Sequence, residues 1–134
     1  MRIKAIVEKG TDGMYSVYSE AHLGNSYFGG FGNSVASAKA DFMVSIREAI
    51  DEQVAEGKNA PGIDDLSVEY HYDIPSFFNY FDFFNVSKFA EFAGINESKM
   101  RAYKSGLAFP GEKTMSKICK AAHSIAAELS AFTL

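Results

Sequence analysis

The chain is poor in the residues that carry chemistry. It has one cysteine, Cys119, so no intrachain disulfide can form, which fits a reducing compartment. Three histidines are scattered along the chain, and Cys119 with His123 falls short of the four ligands of a structural zinc site. No apolar run approaches the roughly 20 residues of a membrane span. The N-terminus "MRIKAIVEKG" turns charged at once and lacks the apolar core of a signal peptide. "FGGFGN" at 28–33 is Gly-rich and precedes a helix, but it has neither GKS/GKT nor GxGxxG spacing, so it reads as a tight strand-to-helix turn rather than a phosphate cradle. A nuclease of the RNase H type needs carboxylates converging on metal ions. Here the first strand has none in its middle, Glu8 lies near its end, and Glu20, Glu48, Glu69 and Asp73 are scattered. No Ser/His/Asp or Cys/His order stands out. The expectation is a cytoplasmic, non-enzymatic protein with no catalytic residue, metal or cofactor and no membrane partner.

Positive charge is also scarce, but only in one half. Residues 1–74 hold six Lys/Arg against twelve Asp/Glu, a net −6, whereas residues 75–134 hold seven against five, a net +2. Such an asymmetry points to two surfaces with different partners. The patterning divides the same way, and predicts an α+β fold of order β-β-β-α-β over 1–74 followed by an all-α domain over 75–134. In "RIKAIVEK", Ile3, Ala5 and Val7 alternate with polar residues, the period of a half-buried strand. Asp12-Gly13 suits a hairpin turn, "MYSVYSE" reads as a second strand and "YFGGF" as a third. A helix follows, with Ser34 as N-cap, Gly57 as stop, and Val35, Ala38, Phe42, Ile46, Ala49, Ile50 and Val54 as its apolar stripe. "LSVEYHYD" alternates again. The helix before it allows a crossover, so this fourth strand is expected to pair in parallel with the first. Ile74-Pro75 is the expected junction. Beyond it, "SFFNYFDFF" reads as a greasy helix of the second core, and "GEKTMSKICKAAHSIAAELSAF" as a long final helix with the stripe Met115, Ile118, Ala122, Ile125, Ala126 and Leu129. Cys119 is expected as a small core residue beside that stripe.

The most informative segment is 85–106. Two short helices meet at "AGIN": Gly94 can turn left-handed and end the first, Ile95 can plug the core, and Asn96 can cap the second. That is helix-turn-helix grammar. In such a unit the N-terminal residues of the second helix face base edges. The base-reading candidates are therefore Asn96, Glu97, Ser98, Arg101 and Ala102. Asn pairs with adenine, Arg with guanine, Glu accepts from cytosine and an alanine methyl touches thymine. Asn85, Lys88, Lys99, Lys104 and Lys113 are the candidates for phosphate contacts. The competing reading is an ordinary helical hairpin with a glycine turn and solvated lysines.

The order of these pieces resembles the HicB antitoxin family. The resemblance is carried by the hairpin "IKAIVEKGTDGMYSVYSE", the segment "GGFGNSVASAKA", the long helix, the fourth strand and the succession "AGIN…MRAYKSG…EKTMSKI…HSI". It implies a partial RNase H-like N-terminal domain without nuclease activity that blocks a small, RNA-cleaving HicA-like toxin. It also implies a C-terminal helix-turn-helix domain that forms a homo-oligomer, dimer or tetramer, and binds operator DNA. No toxin-contact residue follows from it. A ligand-sensing helix-turn-helix regulator without a toxin partner is the alternative.

Overall fold

A computed structural model describes residues 1–134, and the chain divides into two compact units, Met1–Tyr80 and Phe81–Leu134. The first is an α+β unit. Strands β1 (Arg2–Lys9), β2 (Tyr15–Leu23), β3 (Ser26–Gly32) and β4 (Ser67–Tyr72) form one sheet in the order β3-β2-β1-β4. β1 pairs antiparallel with β2 and β2 with β3, while β1 and β4 run parallel with Ala5 opposite Tyr70. The parallel pairing is the one expected from the crossover through helix α1 (Val35–Ala55) and a short 3₁₀ turn at Ile63–Asp65. Gly13, with φ of 80°, turns the β1–β2 hairpin, and Gly24, with φ of 59°, turns the next.

One face of the sheet is covered by α1. Ile3, Ala5 and Val7 of β1, Tyr15 and Val17 of β2, and Phe28 of β3 meet Val35, Ala38, Phe42, Ile46 and Ala49 of α1. Each large side chain buried here stabilises the unit by about 1.5–3 kcal/mol. Phe42 sits at the centre, edge-on to Phe28 and Tyr70. The "FGGFGN" glycines serve this packing: a Cβ on Gly30 would stand 2.3 Å from the amide nitrogen of Phe42, and one on Gly32 2.1 Å from the Ser37 hydroxyl. Ser34 caps α1 through the Ser37 N–H, with Ser37 returning the contact as a capping box. The stripe departs from expectation at its end. Val54 is 62% exposed and Gln53 is buried in its place. The helix turns 53 toward the β2–β3 turn, where Gly24 leaves room for the Gln53 amide.

Helix α2 (Ile74–Tyr80) belongs to this unit, so the boundary falls after Tyr80 rather than at Ile74-Pro75. Its N-terminus is held by Asp73, whose carboxylate accepts from the Ser76 N–H. Ile74, Ser76 and Phe78 are buried, and Asn79 accepts from the Val35 N–H. Lys39 reaches across from α1: its Nζ donates to the Tyr72 hydroxyl at 2.9 Å and lies 3.9 Å from the ring centroids of both Tyr70 and Tyr80. Partial burial pulls this ammonium's pKa down, but the hydrogen bonds and charges of Tyr72 and Tyr80 more than offset it, so the net shift is upward. Burial pushes the Tyr70 hydroxyl up as well.

The second unit is helical: α3 (Val86–Ala93), α4 (Glu97–Ser105) and α5 (Glu112–Ala131). Phe89 and Ala90 of α3, Met100 of α4, and Ile118 and Ala121 of α5 are buried, with Phe84 tilted on Phe89 at 5.2 Å. The expected α5 stripe is only partly realised. Ile118 is buried and Ala122 and Ile125 are half-buried, but Met115, Ala126 and Leu129 are exposed. Periodicity marks the apolar side of a helix; it does not fix how much of that side a neighbour reaches. Cys119, expected in the core, is exposed with its Sγ 3.9 Å from His123 Nδ1.

Candidate nucleic-acid interface

The α3–α4 pair is built by local capping. Asn85 accepts from the Lys88 N–H at 3.0 Å and opens α3. Gly94 ends it in the left-handed region, φ 71°, while the Ile95 N–H returns to the Ala90 carbonyl at 2.9 Å. This is a left-handed glycine stop. Asn96 then accepts from the Lys99 N–H at 3.1 Å and opens α4, which Gly106, φ 80°, closes. Met100 anchors α4 from its buried side. Around it Glu97, Ser98, Lys99, Arg101 and Lys104 are exposed to solvent.

The base-reading candidates differ in their freedom. The Asn96 Oδ1 is committed to the cap, so bidentate pairing with adenine, which uses both the oxygen and the amide nitrogen, would open the helix N-terminus. Glu97 and Arg101 hold each other at 2.6 Å, one turn apart. Ser87 of α3 ties the pair together: its hydroxyl donates to the Glu97 carboxylate at 2.6 Å and accepts from Arg101 Nη2 at 2.9 Å. Ser98 is exposed without such a tie, and Ala102 is half-buried. Ser87 was not among the residues expected from the sequence. A serine in the first turn of a helix is common, and only the approach of α3 to α4 gives it this role.

The phosphate candidates divide similarly. Lys99, Lys104 and Lys113 are exposed with no carboxylate within ion-pair distance. Lys88 lies 3.8 Å from Glu91 on its own helix. The Asn85 side chain is occupied by its cap. The cationic character of this unit therefore rests on lysines, with the one arginine held against a carboxylate. Elsewhere, Glu8 accepts from the Tyr18 hydroxyl, Glu69 pairs with Arg2, and Asp73 caps α2. His, Cys, Asp and Glu side chains nowhere gather in a group of three that could hold a metal ion. A partly open depression of about 340 Å³ is lined by Lys4, Ile6, Tyr18, Ser19, Glu20 and Ala21. No helix is long and apolar enough to cross a membrane. Compared with protein-family models, curated proteins and solved structures, the chain matches none.

Proposed function

We propose that this chain is a HicB-type antitoxin and autorepressor: a cytoplasmic binding protein whose basic helical unit holds operator DNA and whose acidic α+β unit holds a basic, RNA-cleaving toxin. The observation that carries the reading is the capped α3–Gly94–α4 pair. It leaves Lys99, Arg101 and Lys104 of α4 exposed, in a unit of net +2 tethered to one of net −6. Free lysines supply the sequence-independent part of DNA affinity. Ser98, and Arg101 once released from Glu97, supply the base contacts. Operators with two-fold symmetry require two copies with their recognition helices about one DNA turn, roughly 34 Å, apart. The exposed far half of α5, with Leu129 58% and Phe132 60% accessible, is the surface proposed for that dimer. An acidic unit suits a toxin that must itself be basic to hold RNA.

The test is retention of the DNA immediately upstream of the coding sequence in a gel shift. Arg101→Ala with Asn96→Ser keeps the cap and removes both the guanidinium and the amide. We expect that variant to lose sequence-specific retention while its circular dichroism stays native. Retention equal to that of the unaltered chain would remove α4 as the recognition helix. Co-purification with the adjacent gene product on size exclusion tests the toxin half independently.

A further inference from the structure

The two edges of the sheet are treated differently. On the β3 edge, the N–H groups that point away from β2 are taken up by α1: Gly29 donates to the Ser45 hydroxyl at 3.1 Å and Phe31 to the Asp41 carboxylate at 2.9 Å. That edge is closed. On the other edge, the N–H groups of Ser67 and Asp73 donate to the Met1 and Val7 carbonyls, so alternation directs those of Val68 and Tyr70 outward. β4 is paired with β1 alone. Its sequence "SVEYHY" holds no proline, no lysine and no bulge, and Glu69 is its one carboxylate.

We infer that β4 pairs antiparallel with β4 of a second copy, joining two sheets into one of eight strands across a two-fold axis at Tyr70. The strand is self-complementary about Tyr70. An isologous contact places each residue opposite its mirror position. Centred on Tyr70, the outward N–H and C=O of both Tyr70 residues face each other and exchange two hydrogen bonds. On the sheet face away from α1, Glu69 then stands opposite His71 of the second copy, and His71 opposite Glu69. Within one chain these two side chains already meet, His71 Nε2 to Glu69 Oε1 at 3.3 Å, with Arg2 on the other carboxylate oxygen at 3.0 Å. The pairing extends this acceptor–donor alternation across the axis. On the α1 side Val68 faces Tyr72 of the second copy, an aliphatic–aromatic cross-strand pair of the stabilising kind. A strand from a basic partner protein is the other occupant such an edge could take, but it would leave this symmetry unused.

The inference does not rest on DNA or toxin binding, and sedimentation equilibrium tests it in the Leu129→Asp chain, where the contact proposed for α5 is removed. The expected mass is that of a dimer, falling to monomer with His71→Glu, which sets carboxylate against carboxylate. The double change His71→Glu with Glu69→Lys should restore the dimer. Both positions are exposed, so folding is preserved, and amide exchange at Tyr70 should slow as protein concentration rises. Because each unit carries a net −6, added NaCl should strengthen this contact; docking of a basic strand would weaken. A monomeric Leu129→Asp chain, a mass indifferent to His71→Glu, or a double variant that stays monomeric would overturn the pairing.

Discussion

If α4 contacts DNA as proposed above, removing the Glu97 carboxylate should make the protein bind DNA more tightly. Glu97 holds Arg101 at 2.6 Å, and Ser87 bridges both. With the Glu97 side chain 50% exposed and that of Arg101 62% exposed, the pair contributes at most about 1 kcal/mol to folding. Glu97→Ala should therefore lower Tm by no more than about 4–8 °C in a unit of this size. Against DNA the balance reverses. A carboxylate about 6 Å from a phosphate repels it by roughly 0.7 kcal/mol in water, about a threefold loss of affinity that the substitution removes. Release of Arg101 adds a phosphate or base contact. If it takes a phosphate, the slope of log K against log salt should steepen by about 0.9. Fluorescence anisotropy on labelled duplexes, across a salt series and with both upstream and unrelated DNA, measures each quantity. Tighter binding to both duplexes with a steeper slope is expected. Weaker binding to both would show that Glu97 positions Arg101 rather than restraining it. Weaker binding confined to the upstream duplex would assign Glu97 to reading a cytosine and refute the restraint.

Two glycines should fail for opposite reasons. Gly30→Ala drives a methyl into the backbone of Phe42 and Ala38 and should cost at least about 1–3 kcal/mol by urea denaturation. At Gly94 nothing lies within 4 Å and only the positive φ resists a side chain, so Gly94→Ala should cost about 1–2 kcal/mol and act on the helical unit alone. Lys39→Met removes the ammonium among Tyr70, Tyr72 and Tyr80 and should change the alkaline limb of stability. Folded pKa values raised above the ordinary 10.5 for Lys39 and 10.0 for Tyr70 mean stability that is whole below pH about 10 and lost as pH rises beyond it. Thermal melts between pH 9 and 11 should fall for the unaltered chain and fall along a different curve for the variant; identical curves would sink the account. Leu129→Asp should lower the chain's mass in solution without altering its circular dichroism, and an unchanged mass would exclude α5 as the dimer contact.

Much of the backbone was legible because its causes are local. Period two in "RIKAIVEK" and "LSVEYHYD", turn chemistry at Asp12-Gly13, and the caps Ser34, Asn85 and Asn96 with the stop at Gly94 each act within a few residues. The crossover that sets β4 parallel to β1 is not local; it was legible because a helix between two strands leaves few ways to connect them. The failures share one feature: burial was inferred from the helix's own pattern, while the neighbour decides it. Val54 and Gln53 both continue the α1 stripe at allowed spacing, and the space left by Gly24 selects the polar one. Leu129 continues the α5 stripe past the part that is covered. The phenylalanines after Pro75 look like one greasy helix, yet α2 stops at Tyr80 and closes the first core.

The candidate site was legible as a list of residues and illegible as a state. "NESKMRAYKS" puts Glu97 and Arg101 four residues apart, a spacing that always permits an ion pair on a helix. Reading each as a separate base contact treats as independent two groups that compete for one another. Ser87, from another helix, bonds both members of the pair. If α4 is the recognition helix proposed above, Arg101 stays paired with Glu97 until another acceptor takes it. A phosphate offers Arg101 a charged, bidentate acceptor of the same kind as the Glu97 carboxylate, and a guanine edge offers a bidentate neutral one. On that proposal the lysines would set how often the protein visits DNA, and the cost of parting Arg101 from Glu97 would set how much a matching base must return before it stays.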